Sequence, residues 1–160
     1  MGETKLKRQS IGTDMPRVCA RRSTNLALNS GGNTLTWNTE VYDTSNFFTP
    51  NGSVFTVPET GLYLITICIH FTSPMTNIRN FVTVAIGNGG TQSPTDFRLQ
   101  DVDSFTGGDP SRPVETFQVY LQAGATISFD LWIASTGFSI MGHTGNNNAS
   151  SKVFITKIAN

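Results

Sequence analysis

A chain of 160 residues with zero formal net charge, 38% hydrophobic and 14% charged residues is long enough for one domain with its own core and short for two. Zero total charge argues against wholesale nucleic-acid binding and against a solvating acidic tail, and no apolar run approaches the length that spans a bilayer. With 15 Gly, 7 Pro and 11 Phe, abundant Thr, Ser and Asn, and too few charged residues for surface helices, the composition points to β structure, and the low charge fits an oligomer.

The amino end is basic. Residues 1–22 carry Lys5, Lys7, Arg8, Arg17, Arg21 and Arg22 against Glu3 and Asp14, a local +4 that the remaining residues offset with −4. Residues 1–15 read as a basic arm and 16–160 as one head domain, with the cationic run continuing into the first strand. An arm with almost no apolar residues gains little by burying its own surface, so an acidic face of a neighbouring subunit or larger assembly is the economical partner. Aromatic residues do not interleave the basic ones, which argues against base stacking on nucleic acid. No apolar run follows the cations as in a secretory leader, so the product is expected to be soluble where it is made.

Period-2 alternation between turn signals predicts strands over residues 17–28, 34–37, 40–43, 53–57, 62–72, 79–86, 97–102, 114–121, 126–134 and 152–158, with no helix. Gly- and Asn-rich punctuation at 29–33, 50–52, 87–90, 107–110 and 145–148 supplies the turns. This spacing fits an all-β, two-sheet antiparallel jelly-roll sandwich. Cys19 and Cys68 both fall in predicted strands and read as buried free thiols.

The pattern is clearest from Phe55 to Phe71. Pro58 and Gly61 end one strand and turn the chain into the next. Tyr63, Ile65, Ile67, Ile69 and Phe71 then share one face, while the other face, Leu62, Leu64, Thr66, Cys68 and His70, is only half polar. A strand apolar on both sides is normally covered on both, by a second sheet and a subunit or by two layers of its own domain. Further along, Ile127, Phe129, Leu131 and Ile133 point one way, and Phe117, Val119 and Leu121 form the matching core face of what reads as a hairpin. Thr126, Ser128, Asp130 and Trp132 point the other way, joined by Gln118 and Tyr120.

The residues Phe55, Val57, Pro58, Gly61, Tyr63 and Ile65 resemble the signature of the complement first-component and tumour necrosis factor-like globular heads, in the short form common in bacterial and phage structural proteins. Pro16-Arg17-Val18, the segment 35–43, the segment 119–129 and the closing run 152–158 resemble further family segments in the same order, so the likeness spans 16–160. Gly124-Ala125 stands where the family usually has Gly-Asp, and the closing strand lacks the Phe-Ser-Gly of the animal proteins. The resemblance implies threefold-symmetric trimers whose inner sheets pack around an axis. It makes Tyr63, Leu64, His70, Tyr120 and Trp132 the candidate trimer interface.

Chemistry-bearing residues are sparse. His70 continues a buried-type strand and reads as a hydrogen-bonded interior or interface residue, and His143 lies in a Gly/Asn loop. No His-x-x-x-His, metal-spaced Cys pair or Gly-x-Ser-x-Gly is present. Some members of the resembled family bind calcium near the trimer apex. The acidic concentration Asp96, Asp101, Asp103 and Asp109 nevertheless lacks the alternation and following Glu of a dedicated calcium loop, and reads as solvated. No metal, no cofactor and no enzymatic activity is expected. The resemblance and the basic arm together imply a homotrimeric virion protein, a decoration or cement protein on the outer surface of a bacteriophage capsid. It would be made in the host cytoplasm and would dock on the major capsid or another virion protein through Lys5, Lys7, Arg8, Arg17, Arg21 and Arg22, with no nucleic-acid or membrane partner. The alternative is the receptor- or glycan-binding head of a tail fibre or bacterial surface adhesin, reading its ligand with loops such as 44–48 and 145–148.

Overall fold

Branched and aromatic side chains at every second position, interrupted by Gly, Pro and Asn, leave this chain little option but short antiparallel strands. The computed structural model describes residues 15–73, 81–87, 97–101, 112–134, 137–143 and 150–160, with backbone alone for 81–83 and 97–101. Among these residues the strands are β1 (Arg17–Arg21), β2 (Leu26–Ala27), β3 (Gly31–Thr34), β4 (Thr39–Asp43), β5 (Val54–Thr56), β6 (Gly61–Cys68), β7 (Phe81–Gly87), β8 (Phe97–Asp101), β9 (Val114–Leu121), β10 (Thr126–Ile133), β11 (Ser139–Ile140) and β12 (Lys152–Ala159). One five-stranded sheet runs in the order β4-β1-β12-β6-β9. A second runs β3-β10-β7-β8, with β5 also pairing β10, and β2 and β11 form a short ribbon. Every pairing is antiparallel. This is the expected all-β, two-sheet jelly-roll sandwich.

Alternation sorts each strand into an inner and an outer set. Tyr63, Ile65, Ile67, Ile69 and Phe71, predicted to share a face, are all buried, as are Ile127, Phe129, Leu131 and Ile133 opposite them. Phe129 lies at the centre, edge-on to Trp37 and Phe55 with both ring centroids 6.2 Å away, while Phe48 stacks on Phe55 at 4.8 Å. Offset and edge-on rings of this kind let two inner faces interdigitate without voids.

Three local expectations are corrected. The predicted strand 17–28 is two strands, because Arg22 leaves the sheet and folds its guanidinium onto Thr24 O and Thr36. The predicted hairpin 114–134 is not a hairpin. β9 pairs with β6 in the first sheet and β10 with β7 in the second, so the connection crosses between sheets. Gly124, at φ 81°, makes that crossing possible, and it is pinned to Val57 by two backbone hydrogen bonds, Gly124 N–H to Val57 O and Val57 N–H to Ala125 O, both 2.8 Å. Gly61, finally, does not need a positive φ. A Cβ there would run into Ala159 O and the Lys157 side chain, so Gly61 serves close approach between β6 and β12.

Candidate functional site: the outer face of the five-stranded sheet

Residues that alternate with the core on β6, β12, β1 and β9 project outward from the first sheet. The register lines them up in rows. Tyr42, Cys19, Phe154, Thr66 and Thr116 form one row, Arg17, Thr156, Leu64 and Gln118 another, and Leu62 faces Tyr120 at one end. Val114 is 55% and Tyr120 60% exposed, and Leu62, Leu64 and Phe154 are only half-buried. A bulge between Cys19 and Ala20 pushes Val41 out beside Tyr42. Between β4 and β12 a groove of about 250 Å³ is lined by Cys19, Arg21, Val41, Tyr42, Lys152 and Phe154. Its cations sit at its ends: Arg21 and Lys152 are direct cross-strand partners, and the Arg17 guanidinium lies 5.7 Å over the Tyr42 ring.

The outer face of the second sheet has a different chemistry. Its described outward side chains include Thr34, Thr56, Thr126, Ser128 and Asp130, with Thr34 Oγ1 donating to the Asp130 carboxylate at 2.6 Å. Trp132 and Val54 are its exposed large apolar residues among the described positions. Among the described side chains, the first outer face thus carries Leu62, Leu64, Phe154, Val114 and Tyr120 between threonines, with cations at its border, and the second is richer in hydroxyls.

Against this frame the predicted interface residues separate. Leu64 and Tyr120 lie on the apolar outer face. Trp132 lies on the opposite surface, because β9 and β10 belong to different sheets. Tyr63 is fully buried, its ring edge-on to Phe47 at 6.1 Å and its hydroxyl donating to Glu59 O at 2.6 Å, so it belongs to the core and offers no surface to a partner. His70 is also buried within the subunit, its backbone N–H donating to Ser151 Oγ at 3.0 Å and its carbonyl accepting from Met141 N–H at 2.6 Å. Both placements correct the expected interface.

The proposed docking cations separate too. Lys5, Lys7 and Arg8 lie outside the described residues. Arg17 and Arg21 are outward positions of β1, in the head domain itself. Arg22 is buried, with Nε donating to Thr24 O at 2.9 Å and a terminal nitrogen donating to Thr36 O at 2.6 Å, and burial pulls its pKa below the usual value. It ties the exit of β1 to the segment before β4 and is no docking residue. Asp96, Asp103 and Asp109 lie outside the described residues, as does the side chain of Asp101. Among the described residues no cluster of His, Cys, Asp or Glu suits a metal ion.

Both cysteines are free thiols on the apolar face. Cys19 is fully covered and Cys68 half-buried, where burial of both was expected. Strand β12 runs between them, which separates them by roughly 10 Å, beyond the reach of a disulfide. Burial pushes the Cys19 thiol up to about 11 and raises that of Cys68, with nearby Lys152 opposing both shifts. Phe154, Val41 and Tyr42, which shape the groove, were not singled out from the sequence. The available signal was Phe154 standing between the core residues Val153 and Ile155, in a strand apolar on both faces.

The jelly roll of two five-stranded sheets is similar in fold to tumour necrosis factor-like and complement-type globular heads. Among solved structures, murine APRIL at pH 8.5 matches with a TM-score of 0.62 and 13% identity, over 90% of this chain and 99% of that one. The globular domain of zebrafish complement 1qA protein matches with 0.61 and 14%, over 91% and 99%. Eiger TNF from S. frugiperda matches with 0.53 and 15%, over 91% and 94%. At these identities the likeness is one of fold. No protein-family model and no curated protein matches the chain.

Proposed function

We propose that this chain works by binding and not by catalysis, as a homotrimer that closes its five-stranded sheets around a threefold axis. The observation that carries the proposal is the contrast between the two outer faces. Leu62, Leu64, Phe154, Val114 and Tyr120 crowd one surface, and covering that face removes apolar area from water at roughly 25 cal/mol per Å². Among the described side chains of the other sheet's outer face, hydroxyls predominate, with Trp132 and Val54 as the exposed large apolar residues. A head-to-tail contact between neighbouring copies closes into a ring, and the order of three comes from the family resemblance of residues 55–71.

Within that reading the protein is a virion structural protein, a decoration protein on the outer surface of a bacteriophage capsid, docked on the major capsid protein or another virion protein. The resemblance to the short phage-type heads supports this, together with the basic residues Lys5, Lys7 and Arg8 ahead of the domain. Three tethers on one trimer would engage a lattice together, so weak individual contacts add through effective concentration. Cryo-electron microscopy of purified particles tests the placement: trimeric density on capsid faces is expected, and density confined to a tail tip would reassign the protein. Deleting residues 1–15 is expected to leave trimers intact and abolish attachment. Unchanged occupancy would move docking to the body.

A second reading, the receptor- or glycan-binding head of a fibre or adhesin, is favoured by one observation. Trp132, 38% exposed, stands on the hydroxyl-rich surface that an axis-facing first sheet would leave turned outward.

A further inference from the structure

One end of the five-stranded sheet carries its cations on the outer face. The row Thr39, Arg21, Lys152, Cys68 and Val114 runs in register across all five strands. β1 and β6 end there and β4, β9 and β12 begin there, so the row is a rim of the sheet. Arg21 is engaged within the subunit. Lys152 belongs to β12, the middle strand, and its direct cross-strand partner is another cation, a pairing that costs stability. The outward register positions of this sheet hold no carboxylate among the described residues, since Glu40, Asp43 and Glu115 pair with the buried Ala20, Val18 and Ile67. Cys68 adds no charge at neutral pH, because burial raises its thiol. The position of Lys152 is fixed from behind. Arg22 N–H donates to Ser151 O and Ser151 N–H to Met141 O, both at 3.0 Å, and Ser151 Oγ accepts from His70 N–H at 3.0 Å. The half-buried Lys152 stem lines the groove with Cys19 and Phe154, which leaves the ammonium at the rim.

We infer that the trimer binds one phosphate-class oxyanion on its threefold axis, held by the three Lys152 ammoniums at this rim. The inference rests on the trimer reading and names a ligand of that interface; a single chain supplies one third of the site. A threefold rotation repeats a residue at one level along the axis. Closing the trimer through the face whose middle strand is β12 therefore brings three Lys152 side chains together at one end, with Thr39, Cys68 and Val114 as their uncharged companions in the row. Three like charges leaving water together oppose closure unless an anion offsets them. A tetrahedral oxyanion lying on the axis presents three equivalent oxygens, one to each ammonium, and its charge of about −2 answers most of the positive charge through charge-assisted hydrogen bonds. A carboxylate has two oxygens, and so does each phosphodiester of a nucleic-acid backbone. Neither matches threefold symmetry. Free phosphate and the terminal phosphate of a larger molecule share the required chemistry.

The full chain, exchanged into a buffer free of oxyanions, is titrated with inorganic phosphate and with glycerol 1-phosphate, and sodium chloride at matched ionic strength controls for screening. Calorimetry should give one phosphate for every three chains. Phosphate at about ten times its Kd should multiply the trimer association constant by about ten in sedimentation equilibrium over a dilution series, and chloride should not. Lys152→Met keeps the apolar stem and removes the charge. It should abolish phosphate binding, while its trimer in phosphate-free buffer should be at least as tight as the parent's, because the three repelling charges are gone. A trimeric mass certifies the fold of the variant, and Lys152→Arg should retain binding. Equal binding of both probes assigns the terminal phosphate of a partner and binding of inorganic phosphate alone assigns a resident ion; both uphold the site. A trimer indifferent to phosphate, a stoichiometry of one phosphate per chain, or undiminished binding by Lys152→Met would overturn the inference and leave the trimer standing. A monomer in every buffer would overturn the trimer reading and the site with it.

Discussion

Replacing Leu64 by Glu places a carboxylate in the middle of the apolar outer face without entering the core, since Leu64 alternates with the buried Tyr63 and Ile65 and pairs with Thr156 and Gln118. In a trimer closed through this face the change occurs three times. Leu64 is already half-buried within the subunit, so covering the rest contributes about half of the 1.5–3 kcal/mol of a full Leu burial, roughly 2–4 kcal/mol over three copies, before the added cost of desolvating three carboxylates. That corresponds to about two to three orders of magnitude in the association constant, and the carboxylate desolvation added to it is enough to dissociate the protein at micromolar concentration. Sedimentation equilibrium of Leu64→Glu should therefore give a monomer with the parent's far-ultraviolet circular dichroism. The paired control is Trp132→Glu, an equally drastic change on the other sheet, which should sediment as the parent does. If Trp132→Glu dissociates the protein and Leu64→Glu does not, the wrong sheet has been assigned to the axis.

Phe129→Ala empties the centre of the sandwich between Trp37 and Phe55 and should cost about 3–5 kcal/mol in denaturant unfolding. Arg22→Ala should lower folding stability by about 1.5–3 kcal/mol through loss of its bonds to Thr24 and Thr36, with no effect on attachment to any partner. The buried ammonium of Lys157, 2.8 Å from the Glu59 carboxylate, makes Glu59→Ala more damaging than Lys157→Met, because the first leaves a cation inside without its partner and the second removes it. Cys19 titrates near 11 in the folded chain against an ordinary value of 9.0. Folding holds its proton, so this contribution is complete below pH 9, and stability should fall as pH rises from about 9 to about 11. The raised thiol of Cys68 and the raised phenols of Tyr42 and Tyr63 act in the same direction. Denaturant midpoints across that range check the slope, and thiol labelling at neutral pH should leave Cys19 unmodified until the chain unfolds.

Local alternation carried most of what was legible in the sequence. The buried faces of β6 and β10 follow from side-chain period alone, and the Pro58 to Gly61 turn from residues with few other uses. Strand partnership was not legible in the same way, because pairing is non-local. Two adjacent strands joined by a short Gly turn look like a hairpin whether they pair or cross between sheets, and here Val57 captures the turn and sends β10 to the other sheet. Tyr120 and Trp132 were assigned to one surface for that reason. Tyr63 shows the opposite case: alternation with Ile65 and Ile67 already put it in the core, and that was a better guide than the family resemblance. Arg22 misled through its neighbours. The second of two consecutive arginines in a basic stretch reads as solvated, and only the fold shows Thr24 and Thr36 waiting for its guanidinium.

The mass of the unmodified protein by sedimentation equilibrium at micromolar concentration bears most directly on the apolar face of the five-stranded sheet. Closure through that face predicts a single species of three times 17.4 kDa. A stable, soluble 17.4 kDa monomer would contradict it.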